Sequence, residues 1–157
     1  MSTRRCELAT IMEDLGTDSL DGLVRSAPEA LDGLRAVDPR LTNRGTAREL
    51  TRLLTLIWSD AAAPPDCCQQ VRRILGLQVW PHRLSSGFPE DAIKVSGKTG
   101  TLLRWRNEVG VVEYPDHGRY ALAVFTKSRR LTEKHPAADA VIGRAARLAV
   151  DRLRRPM

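Results

Sequence analysis

Rings, thiols and lysines are all scarce in this chain, and each shortage closes off a class of function. Three Trp, two Tyr and two Phe in 157 residues leave few side chains to stack on bases. Only 4 of the 25 cations are lysines. The rest are arginines with carboxylates interspersed, so the formal net charge of +6 describes solvated helix faces rather than a stripe that displaces phosphate counterions. Nucleic acid is not an expected partner. Of the three cysteines, Cys6 stands alone and Cys67 and Cys68 are adjacent, which suits neither a disulfide framework nor a zinc site, so free thiols are expected. No apolar run is long enough to span a bilayer, and the start, Met-Ser-Thr-Arg-Arg-Cys-Glu, has no apolar stretch of signal-peptide length behind it. The expectation is a cytoplasmic chain with no membrane partner, and neither cofactor nor metal is called for.

The length suits one domain, able to bury roughly two-thirds of its unfolded surface. Leu8, Ile11, Met12 and Leu15 recur at helical spacing with Gly16 as a stop, and Ser26 with Glu29 has the spacing of a capping box before Leu31 and Leu34. The clearest helix opens at Thr46, whose hydroxyl can cap while Glu49 reaches back; its expected buried stripe is Leu50, Leu53, Leu54 and Ile57, ending near Trp58. After the Ala61 to Pro65 loop another helix carries Val71, Ile74 and Leu75. An irregular stretch from Pro81 to Pro89 leads to three strands: Ile93 to Leu102, Arg106 to Tyr114 and Tyr120 to Lys127. Pro115-Asp116-His117-Gly118 is the turn between the last two. The third strand, Tyr-Ala-Leu-Ala-Val-Phe, is apolar on both faces and needs covering on both. A helix after Pro136 offers Ala138, Ile142, Ala145, Ala149 and Leu153, with Val141 and Leu148 beside them. The order argues an α+β fold: residues 1–90 mainly helical, a three-stranded antiparallel meander over 91–127, and a terminal helix over 136–155 packed against the sheet.

Inside the first strand, Gly97-Lys98-Thr99-Gly100 admits two readings. A phosphate loop needs a glycine five positions before Gly97 and a helix directly after Thr99; the residue there is Ala92, and the next segment is a valine-rich strand. The other reading puts a lysine on a strand, with Lys98 and Gly100 facing one way, Thr99 and Thr101 the other, and a glycine that lets a ligand approach the backbone. As a triplet alone, Lys98-Thr99-Gly100 is also compatible with a polar strand end.

"KVSGKTGTL", "RNEVGVVEYP", "YALAVFTK" and the closing amphipathic helix together resemble the carboxy-terminal part of a serine β-lactamase of the class A type, in the superfamily shared with penicillin-binding proteins. "NRGTARELTRLLTLIW" resembles that family's helix after its omega loop, with Ala47 in place of the usual proline. The likeness runs from about Leu41 to the end. It implies acyl transfer on a β-lactam or peptidoglycan-like carboxylate ligand, without a cofactor. Lys98 would be the lysine whose ammonium favours negative charge at the nucleophile. Thr99 and Arg106 would hold the substrate carboxylate beside Gly100, and Thr101 would lend its amide to the oxyanion hole. For Arg106, a surface ion pair with Glu108 or Glu113 is the competing reading.

The departures from that family are as specific as the matches. None of the eight serines has lysine three places on, so the SxxK nucleophile is not found; SDN and the ExxLN loop are also missing. The expectation is a truncated domain that begins after the nucleophile, inactive alone and awaiting a complementing amino-terminal fragment, whereas complete members are usually exported. A non-catalytic remnant or binding protein is the alternative. His82, His117 and His135 read as scattered solvated residues, a Cys67 or Cys68 pair with His82 as two core cysteines, and Trp80 and Trp105 as packing residues unless Trp105 edges the groove. The bare edge of the last strand predicts a homo-oligomer or aggregation.

Overall fold

The computed structural model describes residues 12, 13, 16, 18, 19, 22, 38, 40–102, 104–129 and 135–155. They fall in two compact units, Met1–Gly45 and Thr46–Met157. In the first unit Met12 and Glu13 are helical, and Gly16, at φ 62, donates its amide to the Glu13 carbonyl, a left-handed stop that suits glycine. The remainder of the expected first helix, the Ser26–Glu29 capping box with its helix, and Cys6 lie outside the described residues.

The second unit contains, in order, α1 (Ala47–Trp58), α2 (Pro65–Leu75), a 3-10 turn (Leu84–Gly87), β1 (Lys94–Leu102), β2 (Trp105–Glu113), β3 (Arg119–Lys127) and α3 (Pro136–Arg154). The capping box at the start of α1 forms as the spacing requires: Thr46 Oγ1 accepts from the Glu49 amide at 3.2 Å, and the Thr46 amide donates to Glu49 Oε2 at 2.7 Å. Pro65 begins α2 and Gly76 comes directly after its last residue. In the hairpin turn the left-handed position goes to His117, at φ 66, while the Gly118 amide donates to Asp116 Oδ1.

The three strands form an antiparallel sheet in the order β1-β2-β3, with Lys98 opposite Val109, Gly110 opposite Leu122 and Thr101 opposite Arg106. Strand alternation then sorts two cores. Val109, Val111 and Ala121 meet Leu54, Ile57 and Trp58 of α1, while Val112, Tyr120, Leu122 and Val124 meet Leu84, Phe88 and the Ile142, Ala146 and Val150 side of α3. The third strand is therefore covered on both faces, but by two different helices. At the far end of the sheet Arg154 of α3 stacks over the Tyr114 ring at 3.8 Å and pairs with Asp116 at 2.5 Å, tying the helix to the hairpin turn.

Two stripes differ from their sequence expectations. In α1 the buried residues are Leu54 and Trp58, and Leu53 is 46% exposed. In α3 the buried line is Asp139, Ile142, Gly143, Ala146 and Val150, while Ala145 and Ala149 are exposed, as are Val141, Leu148 and Leu153. The helix is rotated toward Gly143, where the 3-10 turn crosses it closely. A Cβ on Gly143 would overlap Ser86 Oγ and would sit 2.5 Å from the Arg83 carbonyl oxygen and 2.8 Å from the Gly87 nitrogen.

That crossing yields a stability test. In an exposed helix interior, glycine to alanine gains about 1 kcal/mol. For Gly143→Ala the overlap outweighs that gain, and a net loss of about 1–3 kcal/mol is expected in urea unfolding. Gly100→Ala is the control, because a Cβ there meets only Asn107 Cβ at 3.9 Å.

Candidate functional site

A cavity of about 700 Å³ opens between β1, the start of β2, the segment before the 3-10 turn and the beginning of α3. Lys98, Thr99 and Thr101 line it from β1 and Arg106 from β2. Trp80, His82 and Arg83 form a second side, and His135, Pro136 and Asp139 a third. Four of the five residues singled out in the sequence thus share one wall. The fifth, Gly100, contributes its carbonyl to the layer behind that wall.

That layer is organised by Arg83, which is 7% exposed. Its Nε donates to Asp139 Oδ1 at 2.7 Å, Nη1 to the carbonyls of Gly100 at 3.1 Å and Asn107 at 2.9 Å, and Nη2 to Thr101 Oγ1 at 2.6 Å. One planar fork so joins α3, β1 and β2, which a lysine point charge cannot do. The second Asp139 oxygen faces Arg106 Nη1 at 3.6 Å. Arg106 is therefore buried against Asp139. Its competing reading, a surface ion pair, fails because Glu108 is itself buried and Glu113 pairs with Arg119.

Glu108 lies under the cluster, 1% exposed, with Oε2 accepting from the Leu84 amide at 2.6 Å. Burial pushes its carboxyl above the usual glutamate range. The Leu84 amide, Arg83 and Lys98 oppose that shift, and the Asp139 charge adds to it. Lys98 is exposed, with Nζ donating to the Thr99 carbonyl at 2.6 Å. His135 is not simply solvated: its Nδ1 accepts from the Ala138 amide and caps α3. Trp105 does not line the cavity and lies under Lys127, 4.4 Å from its ring centre. Cys67 is exposed and Cys68 buried, with Cys68 Sγ 3.4 Å from the Ala63 carbonyl oxygen.

Sequence reasoning missed Arg83, Asp139 and Glu108. Two had a signal: Glu108 shares the strand face of Val112, and Asp139 interrupts the helix face of Ile142 and Ala146, so each is a charge at a core position. Arg83 sits in a stretch without periodicity and had none. A second cavity of similar volume at the other end of the sheet is largely self-neutralised, since Arg72 pairs with Asp60 and Arg119 with Glu113. Among the described residues no group of His, Cys, Asp and Glu is placed to hold a metal ion, and no serine or cysteine lines the first cavity.

A helix-covered antiparallel meander with a lysine-threonine edge and buried arginines behind it is the arrangement of part of a class A β-lactamase and penicillin-binding-protein fold, and comparison with known proteins gives the family. The Beta-lactamase enzyme family matches residues 5–153, and the chain belongs to it. It is 37% identical over 129 residues to the beta-lactamase regulatory protein BlaB of Streptomyces cacaoi, covering 75% of this chain and 41% of that one. Among solved structures it resembles a beta-lactamase from Sphaerobacter thermophilus, with 29% identity, TM-score 0.56, 65% of this chain and 37% of that one. It also shares the fold of PBP-A, solved as an acyl-enzyme complex with penicillin G, at 21% identity and TM-score 0.61, over 73% of this chain and 43% of that one. The chain spans about two-fifths of the length of each of these relatives.

Two outcomes test the buried cluster. Arg83→Met strands Asp139 and two carbonyls, for an expected loss of about 3–5 kcal/mol that Arg83→Lys does not restore. For Glu108 the sign comes from its raised pKa: the folded state holds the proton more tightly, so the stability it lends is full below the unfolded value of 4.5 and is lost as pH rises through the folded value. Comparing wild type with Glu108→Gln in urea titrations from pH 4 upward, wild type should lose stability relative to the variant. A difference that stays flat with pH would exclude this role.

Proposed function

We propose that the cavity binds the carboxylate of a β-lactam or peptidoglycan-like ligand, and that this chain alone does not turn it over. The observation that carries the reading is the charge balance of the cavity: Lys98, Arg83 and Arg106 line it, and among the described residues Asp139 is the one lining carboxylate. Thr99 and Thr101 add hydroxyls beside the ammonium. In this reading Lys98 and Arg106 attract the carboxylate, Thr99 fixes its orientation beside Gly100, and Thr101 offers its amide to the carbonyl oxygen of the ligand. The acyl-enzyme of the PBP-A relative with penicillin G supports the ligand class.

Acyl transfer needs an activated nucleophile, and attraction without one supplies ground-state binding that leaves the barrier to acylation where it was. One oxyanion donor without its partner typically forfeits about two orders of magnitude even where the nucleophile is present. The isolated chain is therefore expected neither to hydrolyse nitrocefin nor to be covalently labelled by a fluorescent penicillin. Activity should appear on adding a fragment that carries SxxK and SDN, seated on the outer edge of β3, where no strand is paired among the described residues. Labelling of the lone chain that survives boiling in detergent would overturn this.

The name of the Streptomyces relative, a regulatory protein, favours a second reading in which the ligand is bound and never processed. The added fragment separates the two: reversible binding with no turnover in its presence supports the regulatory reading.

A further inference from the structure

We propose that Trp80 determines the specificity of this cavity by taking the flat aromatic substituent of a ligand whose carboxylate is held by Lys98 and Arg106. The inference rests on the carboxylate reading above and adds the chemistry of the rest of the ligand.

The segment that carries Trp80 is pinned along β1 at both ends. Gln78 Nε2 donates to the Gly97 carbonyl at 3.4 Å, and Arg83 bonds the Gly100 carbonyl and Thr101 Oγ1. Gly97 and Gly100 bracket Lys98 and Thr99, so the residues between Gln78 and Arg83 run beside those two. Trp80 and His82 both line the cavity there, and their rings meet edge to face at 5.6 Å and 66°, which holds the indole by its neighbour. Trp80 remains 57% exposed. The other indoles are committed elsewhere: Trp58 is buried against the sheet and Trp105 lies under Lys127.

An indole face attracts either a cation or another flat ring. A cation is disfavoured beside the Lys98 ammonium and the Arg83 guanidinium, with Asp139 the one carboxylate lining the cavity among the described residues. That leaves a neutral aromatic group, joined to a carboxylate by a scaffold short enough for one cavity of about 700 Å³.

The test is isothermal titration of the chain with benzylpenicillin and with the analogue that has an n-pentyl group in place of benzyl, which keeps the carboxylate and the apolar bulk but removes the ring. Native protein should bind the benzyl compound roughly two- to tenfold more tightly. Trp80→Ala should bring that ratio to about one, and Trp80→Phe should keep most of it. Lys98→Ala should weaken both ligands and leave the ratio intact. Equal binding of the two ligands by native protein, or a ratio that survives Trp80→Ala, overturns the role of Trp80 while the carboxylate site stands. Binding of neither ligand by native protein, or no weakening by Lys98→Ala, overturns the carboxylate site and the Trp80 inference with it.

Discussion

The guanidinium of Arg83 is the constraint on which the site depends. It is buried, and a buried cation persists only where its charge and donors are met. Here Asp139 supplies the charge, and the carbonyls of Gly100 and Asn107 with the hydroxyl of Thr101 take the other donors. These partners come from three different elements, so meeting the needs of one side chain fixes where the helix, the edge strand and the central strand lie relative to each other. The cost of the arrangement is its fragility, since no single partner can leave without stranding another.

The fold serves this constraint in two further ways. Gly87 and Gly143 let the 3-10 turn cross α3 closely enough for Arg83 to reach Asp139. Glu108 then holds the first residue of that turn to the central strand through the Leu84 amide. In so dry a place burial outweighs the Leu84 amide, Arg83 and Lys98, which oppose it, and the carboxyl stays above its usual range. Arg106 shares the same Asp139, so among the described residues one carboxylate faces two guanidinium groups.

Belonging to a β-lactamase family does not by itself supply β-lactamase chemistry. The chain spans about two-fifths of its relatives, and the described residues around the cavity bring one ammonium, two guanidinium groups, two hydroxyls, two imidazoles, one carboxylate and an exposed indole. Binding and turnover are separable in such a site, because electrostatic attraction acts on the ground state as readily as on the transition state.

The sequence by itself determined what short-range physics controls. Thr46 and Glu49 three residues apart make a capping box wherever the helix sits; Gly16 stops a turn; and the β-branched run of Val109, Val111 and Val112 makes a strand. The Lys98-Thr99-Gly100 triplet was legible as a strand segment, while its roles and that of Arg106 came from the resemblance of several segments in order, not from the triplet alone. Tertiary structure decided everything that depends on which surfaces meet. The apolar stripe read along α3 was wider than the face the sheet covers, and the crossing at Gly143 selected Asp139, Ile142 and Ala146 over Ala145, Ala149 and Leu153. Arg83, in a stretch with no period, acquired its role only when three elements distant in the chain brought four acceptors within reach of one guanidinium, a long-range coincidence that local spacing does not encode.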